Sequence, residues 1–124
     1  MNRKKIITTT LTTLALTLSM AAVAYGFSWG CSSSIKTGII TMTGKSTVTT
    51  YDGTASQIIV NSSLYRDDVF VGQKSADKSN VASLSVSATG SNEPGLQNWE
   101  CVGLDYVLYS GNWTNDTSRV TKSY

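Results

Sequence analysis

Residues 82–88 read Ala-Ser-Leu-Ser-Val-Ser-Ala, apolar at every even position and serine at every odd one. A two-residue period suits a strand with one face on a core and the other in water. Beyond the first 24 residues no stretch sustains the longer period of a helix, while the alternation recurs. Residues 57–65, QIIVNSSLY, predict a strand with Ile58, Val60 and Leu64 inward, and Arg66-Asp67-Asp68 a turn into a returning strand at residues 69–71. Two short β-rich pieces, residues 39–42 and 47–51, flank Gly44-Lys45, and Asp52-Gly53 ends the second. Residues 75–80 read as a polar loop and residues 90–95 as turn chemistry. Residues 99–109 predict a long strand with a bulge near Gly103, Ser110-Gly111-Asn112 a turn, and residues 113–124 a polar last strand.

About seven short strands without a helical crossover predict mainly antiparallel pairing. The fold class is therefore all-β, and a two-sheet sandwich is the economical way to bury one face of each strand. A small β-barrel is the alternative.

The amino terminus obeys different rules. A basic head (Arg3, Lys4, Lys5), an apolar run and a small-residue exit at Ala22 and Ala24 match a secretory signal peptide over residues 1–24, predicted as a helix ahead of the sandwich. A retained membrane helix is disfavoured, because residues 6–24 are barely long enough to span a bilayer and carry six threonines. Cleavage after Ala24 leaves 100 of the 124 residues, enough for one small domain. The leader supplies three of the ten basic residues, so the mature chain carries seven bases against eight acids. That balance lacks the Lys/Arg footprint that phosphate backbones demand, which argues against nucleic-acid binding. Membrane contact is expected only through the leader before cleavage, and the product is expected outside the cell.

Export implies an oxidising compartment. Two cysteines allow one pairing, Cys31 with Cys101, which closes a 70-residue span. In the chain-entropy model such a link contributes roughly 4 kcal/mol. It would tether residues 25–35 to a sandwich domain of residues 36–124. A nucleophilic Cys101 would need a base, and the chain contains no histidine. Two cysteines without histidine also fall short of a zinc site.

The stretch GLQNWECVGLDYV resembles the penultimate strand of immunoglobulin-like sandwiches, with Trp99 two residues before Cys101. A leader followed by a Ser/Thr-rich sandwich is similar to small secreted proteins of Gram-positive bacteria. Both resemblances imply an immunoglobulin-like fold, and neither carries a function, since sandwiches host many unrelated ones.

Other constellations are weaker. Asp52, Asp67, Asp68 and Asp105 lack the spacing of a calcium loop and read as turn aspartates, so no metal is expected. Glu93 and Glu100 have nothing that fixes the separation glycoside hydrolysis requires. Ser33 and Lys36 form the string Ser-x-x-Lys, which is short enough to arise by chance. Trp113, among Asn112, Thr114 and Asn115, is the aromatic most suited to an exposed contact, with Tyr109 beside it. No motif asks for a cofactor. The expectation is a secreted, non-enzymatic module that binds a protein or a cell-surface glycan. A bacteriocin-like toxin and a small hydrolase are the alternatives.

Overall fold

The computed structural model describes residues 27–124 together with the backbone of residues 14–20. Its strands are β1 (Leu14–Met20), β2 (Trp29–Lys36), β3 (Thr41–Thr50), β4 (Ala55–Arg66), β5 (Val69–Val81), β6 (Ser83–Ser91), β7 (Asn98–Tyr109) and β8 (Asn112–Ser123). The described residues include no helix. They form two antiparallel sheets, β1-β2-β3-β6 and β5-β4-β7-β8, which face each other as a sandwich and do not close into a barrel.

Local chemistry places the hairpins. Asp67 and Asp68 both take positive φ (50° and 66°), as do Ser110 and Gly111 (51° and 76°), so each pair closes a tight two-residue turn. Aspartate and glycine tolerate that region better than most residues, and such turns match the twist of the strands they join. The chain crosses between sheets at three places, residues 51–54, Ala82 and residues 92–97.

Several elements differ from the sequence expectation. The two pieces around Gly44-Lys45 are one continuous strand, β3. Gly44 is not a turn residue: a Cβ there would lie 2.8 Å from Cys101 Sγ and 3.0 Å from a Leu64 methyl, so glycine admits the facing sheet. The polar loop at residues 75–80 is the end of β5, paired with β4 from Ser75↔Asn61 to Ser79↔Gln57. Its side chains read as loop because both faces of this edge strand are largely exposed. The bulge expected near Gly103 is absent, since β7 keeps an unbroken register with both β4 and β8 through that residue. The irregularity lies instead between Leu64 and Tyr65, where β4 meets β5.

The amino-terminal expectations also change. Residues 1–13 and 21–26, including the expected cleavage positions Ala22 and Ala24, lie outside the described residues. Within the expected leader, Leu14–Met20 is a strand and not a helix, antiparallel to β2 from Leu14↔Lys36 to Met20↔Gly30. The stretch LALTLSM alternates apolar and small residues, which suits a strand beside an available edge. Residues 29–35, expected within the tethered segment of residues 25–35, belong with Lys36 to β2 and are held by a backbone ladder to β3.

The core lies between the sheets in two halves. One gathers Phe27, Trp29, Cys31, Val48, Ala55, Ile58, Val60 and Val107. The other gathers Ile35, Met42, Leu64, Ala88, Trp99, Cys101 and Val120. Ile58, Val60 and Leu64 point inward as their spacing predicts.

Candidate functional site: a buried serine layer and an apolar loop end

A polar layer separates the two halves of the core. Ser33 of β2 is paired with Ser46 of β3. In the facing sheet Ser62 of β4 is paired with Gly103 of β7, which is paired in turn with Ser118 of β8. These registers bring four hydroxyls to one level, and all four are buried. Gly103 leaves them room: a Cβ there would meet the oxygens of Ser118 and Ser46 at 2.7 Å and of Ser33 at 3.0 Å.

The hydroxyl protons can be assigned by counting. Ser62 donates to the Gly44 carbonyl at 2.9 Å, and Ser46 donates to Ser62 at 3.1 Å. Each hydroxyl has one proton. Ser33 must therefore donate to Ser46 (3.2 Å), and Ser118 to Ser33 (2.5 Å). The chain runs from Ser118 through Ser33, Ser46 and Ser62 to a backbone carbonyl, with every donor satisfied. The Cys101 thiol lies 3.4 Å from Ser62 and 3.9 Å from Ser46, whose protons are committed, so sulfur is the donor there.

Asp105 lies two residues beyond Gly103 on the same face of β7 and is fully buried. Neither of its carboxylate oxygens has a hydrogen-bond partner. The Asn61 backbone amide and the Cys31 thiol lie near enough to favour the charged form without making such a bond. Burial outweighs them and pushes Asp105 up to about 7, and the neighbouring Asp116 adds to the rise. The Cys31 thiol is pushed up to about 12, first by burial and then by the negative charges of Asp105 and Asp116. Burial also raises the Cys101 thiol. Neither sulfur has the character of a working nucleophile.

The expected Cys31–Cys101 disulfide is not formed; both are buried free thiols. The register explains why. Cys101 faces Gly44, and Gly44 pairs with Ile35 on β2. Cys31 is four residues along from Ile35, about 13 Å on a strand. A disulfide tolerates a Cα separation of about 7 Å at most. The two sulfurs sit on opposite sides of the serine layer, one in each half of the core.

The other sequence candidates are dispersed. Ser33 is buried in the layer while Lys36 is exposed at the end of β2, so they form no pair. Glu100 meets Arg119 on the outer face of its sheet at 2.5 Å. Among the described residues no group of three histidine, cysteine, aspartate or glutamate side chains could hold a metal ion. Trp113 is 49 % exposed. Tyr109 is half-buried and stacks on Phe27, with ring centroids 4.1 Å apart.

The opposite end of the sandwich carries more exposed apolar surface. Ile39 and Ile40 precede β3, Val69 and Phe70 follow the β4–β5 turn, and Leu96 lies between β6 and β7. Ile40 and Leu96 are the most open, at 78 % and 81 %. Polar contacts tie these loops together. The Asn92 amide donates to the Ile40 carbonyl at 2.8 Å and its side chain to the Gly38 carbonyl at 2.6 Å. Asp67 and Asn98 exchange backbone and side-chain bonds at 2.7 and 2.9 Å, and Arg66 donates to the Ser91 carbonyl at 3.0 Å. The sequence signal was present in the Ile39-Ile40 pair, but reading it as the start of a strand hid it. No known protein family and no curated protein sequence matches this chain.

Proposed function

We propose that the chain is a secreted, non-enzymatic binding module that engages a protein partner outside the cell through the loop end bearing Ile39, Ile40, Val69, Phe70 and Leu96. The observation that carries this reading is the placement of five exposed large apolar side chains at one end of a sandwich, on the β2–β3 and β6–β7 loops and the first two residues of β5. Exposed apolar surface rimmed by polar groups is typical of contact sites. Four of the five are aliphatic, which favours a protein surface over a glycan, since sugars are gripped by aromatic faces. The amino-terminal pattern of basic head, apolar run and small-residue exit supports export. The non-enzymatic reading is supported by hydroxyls that are buried with their protons committed, by thiols raised by burial, and by the lack of any histidine.

The test is affinity capture from intact cells and culture supernatant with the pure protein, alongside Ile40→Ser/Leu96→Ser and Trp113→Ala. Capture of a defined protein, weakened at least tenfold by the loop variant and unchanged by Trp113→Ala, is expected. Retention on cell-wall glycan that depends on Trp113 would overturn the assignment to the loop end. Growth inhibition by the pure protein alone would overturn the binding-module reading.

A further inference from the structure

We infer that the mature chain pairs with a second copy of itself along the free edge of β2, which the leader strand β1 covers in the full-length chain. This rests on the reading that residues 1–24 are removed during export. In the full chain the edge is filled: β1 forms seven consecutive antiparallel pairs with β2, and it also lies against β8. The edge is therefore competent to accept a strand along nearly its whole length. Removing β1 leaves a row of unsatisfied backbone donors and acceptors, the usual template for strand addition.

The other edges are better protected. β6 has β5 against it, so close that a Cβ on Gly72 would lie 2.5 Å from the Thr89 carbonyl oxygen. β5 and β8 carry charged residues along their length, Lys74, Asp77 and Lys78 on the first and Asp116, Arg119 and Lys122 on the second. β2 has one device that discourages pairing, Lys36 at its very end. Residues 29–35 are uncharged, the strand contains no proline, and its register with β3 is unbroken.

A second copy fits this edge without help from any other chemistry. Antiparallel pairing of β2 with its own copy about a two-fold axis sets small residues, Ser32 and Ser34 among them, near the seam. It opposes no like charges, because Lys36 at one end meets the uncharged start of the partner strand. The product is one continuous sheet, β6-β3-β2 extended by β2-β3-β6 of the second copy, and such closed isologous pairing stops at the dimer.

The experiment uses the protein recovered from the medium of a secreting host, with its amino terminus sequenced and its mass in solution measured by light scattering. Ser32→Lys and Ser32→Glu are prepared in parallel, on the half-buried face of β2 that points away from the core. Fluorescence of the buried Trp29 and Trp99 reports that each variant is folded. The wild-type product is expected to begin at Tyr25 and to have twice the monomer mass. Each variant alone should be a folded monomer, and an equimolar mixture of the two should regain the doubled mass. A product beginning at Tyr25 that runs as a monomer overturns the dimer. So does a dimer indifferent to both substitutions, or one not regained on mixing. A product that retains residues 14–20 overturns the processing reading instead, and with it the open edge.

Discussion

Asp105 is a carboxyl whose charged form the fold disfavours, because it is buried. Burial lifts its carboxyl from 3.8 to about 7. In the unfolded chain the group loses its proton near pH 4, whereas the native protein keeps it to near neutrality. Between those values the unfolded state binds fewer protons, so stability falls as pH rises, and above about pH 7 it levels off. About three pKa units correspond to about 4 kcal/mol, a large part of the net stability of a small domain. Asp105→Asn removes the titration, so chemical denaturation at pH 5 and pH 8 is expected to show a much flatter pH dependence than wild type, with higher stability at pH 8. A wild-type protein equally stable at both values would contradict the placement of this side chain. The inward position of Asp105 was legible, since the alternation that turns Trp99 and Cys101 to the core also turns Gly103 and Asp105 there. It went unread because aspartate is ordinarily a surface residue. The serine layer was not legible at all. Ser33, Ser46, Ser62 and Ser118 are buried whereas Ser83, Ser85 and Ser87 are exposed, and residue type does not separate them. Only the register that sets four serines at one level distinguishes the first group.

At the scale of elements, the strands buried on one face were the readable ones. β4, β6 and β7 alternate in sequence because one of their faces meets the core, and the turns at Asp67-Asp68 and Ser110-Gly111 carry residues that accept positive φ. β5 lacked that contrast. With both faces largely in water its second half has no alternation to detect, and pairing with β4 is what makes it a strand. Side-chain bonds across the pair, Gln57 to Asp77 at 2.8 Å and Ser75 to Asn61 at 2.5 Å, support the ladder. Hydrogen exchange separates the alternatives. Amides of residues 75–79 that bond to β4 are expected to exchange at least a hundredfold more slowly than a free loop, and free-loop rates there would contradict the pairing. Residues 14–20 show the converse. Their apolar content matches a signal helix, but the alternation in LALTLSM is equally a strand pattern, and an available edge decides between them.

For the whole molecule, the sandwich divides its interior into two apolar halves across a layer of hydrogen-bonded hydroxyls. The layer satisfies its donors internally, so it adds specificity of register without opening a polar path to the surface: shifting any of the four serine-bearing strands by one residue would leave a buried hydroxyl without its partner. The same register holds the two sulfurs apart on opposite sides of the layer, and cohesion across the sheets comes from packing of Trp29, Ile35, Met42, Ile58, Leu64 and Trp99 instead of a covalent link. The most direct test of this arrangement is the intact mass of the purified protein under non-reducing conditions after exposure to an alkylating agent, first folded and then in denaturant. Cys31 and Cys101 are expected to stay unmodified in the folded protein and to take up two alkyl groups once it unfolds. A mass two hydrogens lighter that takes up no label even in denaturant would show a disulfide and contradict the register.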